Sequence, residues 1–282
     1  MTATDASTPA HLLFATDLSA RCDRARERAI DLARRWGARL TVVHAIDALD
    51  APNDQPPRPT TDGAADRALR LLREDFADVE GVPLDFTVAE GRSDRLILDI
   101  AARQGCDLIV TGIAGNDPLG QTIRGSTVTA LARHAPVPML VVKKRPRGAY
   151  RRILVSSDFS AVSAVALDVA SRLFDPGKIT LFNAYDLPFV ATTGARERHE
   201  AESEARAFLA RHGGSDAVRV AVVPGRDAAV ALADHVVKED VDLVMVGTHG
   251  AGGLMTVLLG GTTIGILDEA PCDIMVVPAR KG

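Results

Sequence analysis

The feature of this sequence best suited to chemistry is a glycine spacing that occurs twice. Gly112 and Gly115 are separated by two residues and followed, after nine more, by Gly125-Ser126; Gly247 and Gly250 repeat the interval and lead to Gly260-Gly261. Each cluster ends an apolar run, Leu108-Ile109-Val110-Thr111 in one case and Leu243-Val244-Met245-Val246 in the other. Glycine has no side chain and tolerates positive φ, so a phosphate can approach backbone N–H groups at the positive end of the following helix. No Gly-Lys-Ser/Thr follows, which excludes the P-loop, and the dinucleotide GxGxxG fingerprint is absent too. Either cluster alone reads as well as a plain strand-to-helix turn. Two copies at equal offsets favour a polyphosphate cradle.

Other reactive residue types are weighed against the same background. Asp17 in Thr16-Asp17-Leu18-Ser19 and Asp158 in Ser157-Asp158-Phe159-Ser160 each follow a short apolar run. Such an aspartate either caps a helix or meets a ligand at the carboxyl end of a strand, and Ser19 and Ser160 are competing caps. His249, inside the second glycine cluster, reads as a turn residue that tolerates the left-handed region rather than as a general base. His44, His134, His199, His212 and His235 lack the spacing or cysteine partners of a metal site, so no metal ligands are expected among them. Cys22, Cys106 and Cys272 lie outside any CxxC and read as small buried side chains rather than a disulfide framework. The basic run from Lys143 to Arg152 reads as a solvated linker.

These residues need elements to hold them. The chain has 282 residues, 46% apolar and 25% charged, which suits two globular domains. A net charge of −4 argues against a general nucleic-acid or membrane-surface binder. The first ten residues do not resemble a signal peptide and no apolar stretch approaches a membrane span, so the cytoplasm is the expected address. Leu12 to Ala15 reads as a strand. Ala25, Ala29, Leu32, Ala33 and Trp36 fall on one helical face, with arginines and acids opposite. Leu40 to Ile46 is a second strand, 50–61 a Pro-rich loop, and Ala65, Leu69, Leu72 and Phe76 a second helical face. Leu84 to Val88 alternates like an edge strand. A helix over 92–104, the strand before Gly112, a helix over 122–134 and the strand Met139 to Val142 complete the unit. The second half repeats this order: Ile153 to Val155 and Ile179 to Ala184 as strands, Ala201, Ala205, Phe208 and Leu209 on one helical face, then alternating Val218, Val220 and Val222. Gly225-Arg226 echoes Gly91-Arg92, and Ala270-Pro271 echoes Ala135-Pro136.

Strands alternating with helices predict an α/β fold of two doubly wound parallel five-stranded sheets, each in the order 3-2-1-4-5, as a tandem repeat with pseudo-twofold symmetry. The expected domains are residues 1–147 and 148–282. Met139 to Val142 and Ile274 to Val277 are continuously apolar terminal strands, and an uncovered apolar edge invites aggregation. The expectation is that the two edges cover each other as a pseudo-dimer within the chain, which leaves a homodimer of whole chains compatible with the sequence.

Both halves resemble universal stress protein domains, and the whole chain resembles a tandem member of that family. The resemblance is carried by the family's nucleotide pattern, matched at Gly112, Gly115, Gly125 and Ser126, by Gly-Thr-His-Gly at Gly247 to Gly250 and by Ala-Pro-Cys at Ala270 to Cys272. It implies ATP binding, with Asp17 and Asp158 on the adenosine side and Ala45 and Ala184 where a backbone group meets adenine. Gly261 departs from the family, which has Ser or Thr there; triphosphate binding by the second half is therefore expected to be weaker, with Thr262 as a substitute if the turn shifts. The resulting expectation is an ATP-binding stress-response module, with Asp117 the one carboxylate placed to help hold Mg²⁺ and an unidentified protein partner as its reader. No catalytic residue is expected, for want of an activated nucleophile, an acidic pair or a phosphoryl clamp. A slow ATPase or adenylyl-transfer enzyme of the same broad fold, and an interaction module with a vestigial site, are the alternatives.

Overall fold

A computed structural model describes residues 8–46, 63–113, 126–186, 194–248 and 260–279. The chain divides into two compact units, the first ending at Gly148 and the second taking up from Ala149.

The first unit runs β1 (His11–Thr16), α1 (Asp23–Trp36), β2 (Arg39–Ile46), α2 (Ala64–Asp75), β3 (Leu84–Glu90), α3 (Ser93–Gln104), β4 (Leu108–Gly112), α4 (Ser126–His134) and β5 (Met139–Val142). Its strands lie in the order β3-β2-β1-β4-β5 and pair in parallel, with Leu12 opposite both Leu40 and Leu108. Helices cover both faces of a parallel sheet, which is why β1 and β4 read as continuous apolar runs rather than alternating ones. Leu12, Leu13 and Phe14 are wholly buried. Phe14 packs tilted against Phe76, and Phe76 edge-on against Phe86, with ring centroids 6.3 and 5.8 Å apart. Each such side chain removed from water contributes about 1.5 to 3 kcal/mol.

Two helical faces differ in detail from expectation. On α1, Ala25, Ala29, Leu32 and Ala33 are buried, but so is Arg28 on the supposed polar side, at 4% exposure. Its guanidinium donates to the Asp31 carboxylate at 3.4 Å and to the Gly148 carbonyl at 2.7 Å, so the cation is buried with polar partners. On α2 the buried residues are Ala68 and Leu72, with Ala65 and Leu69 half-buried, one step round from the expected centre. β3 is an edge strand as expected, yet only Asp85 is exposed along it. Gly37 and Gly105, in the left-handed region at φ 63°, terminate α1 and α3.

The second unit repeats the plan with β6 (Ile153–Ser156), α5 (Ala161–Leu173), β7 (Ile179–Tyr185), α6 (Ala195–Arg211), β8 (Arg219–Pro224), α7 (Ala228–Lys238), β9 (Leu243–Gly247), α8 (Gly261–Glu269) and β10 (Asp273–Val277). Its parallel ladders join β8 to β7, β7 to β6, β6 to β9 and β9 to β10. The duplicated glycines after the third strands do the same work: Gly91 N–H donates to the Ile46 carbonyl at 3.1 Å and Gly225 N–H to the Tyr185 carbonyl at 3.0 Å. The four helical positions expected on α6, Ala201, Ala205, Phe208 and Leu209, are all buried. All three cysteines are buried free thiols.

At the amino ends of the first unit's strands lies a polar chain, buried at His11 and Thr41 and exposed at Arg39. Arg39 Nη2 lies 3.0 Å from His11 Nδ1, which is also 3.2 Å from the Gln104 carbonyl oxygen; His11 Nε2 lies 2.8 Å from Thr41 Oγ1, and the Thr41 hydroxyl donates to Gln104 Oε1 at 2.9 Å. Burial and the neighbouring Arg39 charge hold the His11 pKa below its ordinary value.

The candidate nucleotide site

In each unit the chain leaves its first strand to build two more on one side, then crosses back to build the last two on the other. The crossing point lies between β1 and β4 in the first unit and between β6 and β9 in the second. The carboxyl ends of strands at such a switch point form the crevice where open α/β sheets take ligands. Asp17 and Gly112 flank it in the first unit, Asp158 and Gly247 in the second.

The turn after the first strand is built the same way twice. Leu18 and Phe159 are non-glycine residues at φ 61° and 60°, a left-handed conformation that costs about 1 to 2 kcal/mol. Side chains on either side hold it. Thr16 Oγ1 accepts from Leu18 N–H at 3.0 Å and Asp17 Oδ1 from Ser19 N–H at 2.9 Å. In the second unit Ser157 Oγ accepts from Phe159 N–H at 3.0 Å and Asp158 Oδ1 from Ser160 N–H at 3.1 Å. Neither aspartate caps its helix: Ser160 caps α5 by accepting from Ser163 N–H, while α1 is entered through a 3-10 turn, Ala20–Cys22, with no side-chain cap.

A second donor reaches each aspartate from one helical turn on. The Cys22 thiol donates to Asp17 Oδ1 at 3.1 Å, and the Ser163 hydroxyl to Asp158 Oδ1 at 2.6 Å. Burial raises the pKa of both carboxyls, but the bonds from Ser19 and Cys22 to Asp17, and from Ser160 and Ser163 to Asp158, outweigh it and hold both below the ordinary value. Burial pushes the Cys22 thiol up to about 11, so it remains an S–H donor at neutral pH. Both bonds land on Oδ1. Oδ2 of Asp17 and of Asp158 has no partner among the described residues, and both residues are exposed, so each turn presents an ionised oxygen to solvent.

The glycine that ends β9 has a packing role the sequence did not reveal, and the one that ends β4 does not share it. A Cβ on Gly247 would lie 2.5 Å from Val162 Cγ1 and 3.2 Å from the Val162 carbonyl oxygen, so α5 can approach β9 only because there is no side chain. A Cβ on Gly112 would meet the Arg21 carbonyl oxygen at 3.4 Å and Cys22 Cα at 3.6 Å, close to ordinary contact. Further along the second loop, Gly260 N–H donates to the Thr248 carbonyl at 3.2 Å and the buried Thr263 hydroxyl to the Gly247 carbonyl at 3.0 Å. Gly261 opens α8 and is exposed, with nothing within 4 Å of an added Cβ; Thr262 beside it is exposed as well.

Of the other expected site residues, Ala45 and Ala184 lie half-buried near the ends of β2 and β7, in register with Ala89 and Val223. Ser126 is the first residue of α4. Gly115, Gly125, Gly250, Asp117 and His249 lie outside the described residues. Two side chains at the site carried no individual signal in the sequence: His44 and Asn183, which donate to the carbonyls of Thr16 and Ser157 at 3.0 and 2.9 Å. Their equal offsets before Ala45 and Ala184 were the available clue. Among the described residues no group of three or more His, Cys, Asp or Glu is placed to hold a metal ion, and no helix is long and apolar enough to cross a membrane.

The sequence pattern of the universal stress protein family matches residues 10–143 and again 149–278. A universal stress protein of Mycolicibacterium smegmatis is 26% identical over 291 aligned residues, covering 95% of this chain and 97% of the relative. A Thermus aquaticus universal stress protein is 33% identical over 136 residues, 47% of this chain and 97% of its own length. The fold is shared with a universal stress protein of Archaeoglobus fulgidus, 18% identical, at a TM-score of 0.70 over 96% of this chain and 98% of that one. With its strand order, its duplicated switch-point turn and two family matches in succession, the chain belongs to the universal stress protein family.

Proposed function

We propose that the first unit binds ATP and that the chain is a nucleotide-dependent stress-response module without efficient catalysis. The nucleotide would lie across the switch point, with its adenosine part against Asp17 and the backbone at Ala45, and its phosphates on Gly112, Gly115, Gly125 and Ser126. The observation that carries this reading is the ionised, outward-facing Asp17 Oδ2 beside the glycine that ends β4. A carboxylate accepts two hydrogen bonds well from a pair of sugar hydroxyls, and repels phosphate, which orients a nucleotide with its phosphates toward the glycines. Mg²⁺ would be held chiefly by the phosphates themselves.

A second, weaker site would use Asp158, Ala184, Gly247, Gly250, Gly260, Gly261 and Thr262. Support for the inequality comes from the loop chemistry: Gly261 supplies only an N–H where Ser126 supplies a hydroxyl as well, and Gly260 N–H and the Thr263 hydroxyl are already bonded within the loop. Mass spectrometry of the purified, denatured protein tests the reading, since co-purified ATP is released on unfolding. Release of ATP, with calorimetric rebinding to stripped protein, is expected; no released nucleotide and no heat of binding would overturn it.

A further inference from the structure

We propose that His44 is a positioning residue for the nucleotide site, acting through the Thr16 carbonyl on the orientation of Asp17, and that Asn183 plays the same part for Asp158. The inference rests on the ATP-binding reading of that site.

Thr16 and His44 face each other in the β1–β2 ladder, at the point where β1 ends. His44 Nδ1 lies 3.0 Å from the Thr16 carbonyl oxygen, which can only accept, so the ring nitrogen donates and Nδ1–H is the tautomer the geometry selects. In the second unit Ser156 faces Phe182, so Ser157 and Asn183 occupy the equivalent place, and Asn183 Nδ2 donates to the Ser157 carbonyl at 2.9 Å. Imidazole Nδ1 and carboxamide Nδ2 are both attached at Cγ. Two residue types of different size and chemistry thus deliver one N–H to the same carbonyl, the one immediately before the aspartate.

The strained residue two places on explains the need for that bond. Leu18 and Phe159 stay left-handed only while the surroundings over-determine them. Each turn has three ties: a hydroxyl on residue 16 or 157, the aspartate Oδ1, and the side chain of residue 44 or 183 fixing the peptide plane between strand and aspartate. Removing the third takes a hydrogen bond from that carbonyl and lets the turn relax. Apparent affinity then falls by the fraction of molecules that keep the competent turn.

The test uses full-length protein carrying Gly261→Glu, which places a negative side chain in open space at the second site and leaves the first site as the one measured with ATP. In that background His44→Leu should weaken ATP binding about ten- to a hundredfold, the range for removing the donor from an acceptor shielded from water. His44→Asn should restore the parent affinity to within about threefold, because the chain itself uses Asn at the matching position. His44→Gln should fail like Leu, since its amide lies one bond too far from the backbone. Parent-like binding by folded His44→Leu, or rescue by Gln as complete as by Asn, would overturn the proposal. Should the parent itself bind no ATP, the site reading fails, and the positioning claim is judged separately by amide hydrogen exchange at Leu18 and Ser19. Protection lost in His44→Leu and kept in His44→Asn sustains it, and protection unchanged in His44→Leu overturns it.

Discussion

At the turn after its first strand, the first unit steadies Asp17 with a cysteine thiol at 3.1 Å, whereas the second steadies Asp158 with the Ser163 hydroxyl at 2.6 Å. The neighbouring features differ in the same direction. α5 has a true serine cap and α1 has none; Gly247 is required by the packing of α5, while Gly112 has near-ordinary clearance. The second unit's glycine loop also bonds Gly260 N–H and the Thr263 hydroxyl to its own carbonyls. The backbone of the turn is nevertheless the same, down to a left-handed residue one place after each aspartate. The comparison teaches that a duplicated fold can keep the geometry of a turn while the atoms that hold it change. Among the described residues, the second unit's turn and glycine loop are tied by a serine cap, the Thr263 hydroxyl and Gly260 N–H.

The sharpest way to test that contrast is to destroy one site only. Gly115→Glu should reduce ATP affinity at the first site by more than about a hundredfold, by putting a negative side chain where phosphate meets backbone. Titration calorimetry should then record the weaker second site alone; retention of the tighter site would show that the cradle lies elsewhere. Turnover of ATP by the parent should stay well below the ordinary enzyme range of ~1 to 10³ per second, and a steady-state assay within that range would remove the distinction between binder and enzyme.

Hydroxyl exchange between the loops is the next largest effect. Ser126→Ala should weaken the first site and Gly261→Ser strengthen the second, each by roughly ten- to a hundredfold, because a hydrogen bond to a charged group contributes about 1.5 to 3 kcal/mol. The added serine meets no neighbour within 4 Å of its Cβ, so the gain is not offset by strain. Equal affinities in the parent, with no gain from Gly261→Ser, would show that the hydroxyl does not set the difference. For stability the asymmetry reverses. Gly247→Ala should cost about 1 to 3 kcal/mol through overpacking against Val162, and Gly112→Ala less than about 1 kcal/mol. Chemical denaturation of the two variants checks this, and equal costs would refute the packing contrast.

Acid should bring out the smallest difference. His11 has a folded pKa below its ordinary value of 6.5, so its contribution is complete above pH 6.5 and is lost as pH falls toward the folded value. His235 in the second unit, packed on Phe182 with ring centroids 5.2 Å apart, has its pKa lowered by burial and follows the same sign. Replacing His11 by Asn should therefore flatten part of the stability loss between pH 7 and 5, while the part due to His235 persists. At lower pH the depressed carboxyls of Asp17 and Asp158 take over: their stabilisation is present above the ordinary 3.8 and is lost as pH falls through the folded values. Asp17→Asn should shrink that acid limb without touching the one near pH 6, as thermal melts across the pH range would show.

Much of this molecule is legible in one dimension. The continuous apolar runs at Leu12 to Phe14 and Leu108 to Val110 announce strands buried on both faces, and the repeated order of elements announces a parallel sheet in each unit. The repetition also exposed the two aspartates and the glycine clusters, because equal offsets in two copies are improbable for residues without a shared task. Arg28 was misread for a physical reason: a helical wheel counts an arginine as polar and cannot see the Gly148 carbonyl 120 residues away that lets it be buried. The phase of α2 slipped because Ala65 and Ala68 are equally small and apolar, and only contact with the sheet separates them.

Sequence alone thus determined the class of fold, the duplication, the family resemblance and the residues at the carboxyl ends of the strands, all of which follow from local pattern and spacing. Tertiary structure decided how those residues are held. It showed that Gly247 is glycine because a helix passes close by, that Asp17 and Asp158 keep one oxygen for the turn and one for solvent, and that His44 and Asn183 act alike. Each of these is a contact between atoms that the chain brings together only on folding, and an N–H offered across 26 or 28 residues leaves no periodicity for a sequence to display.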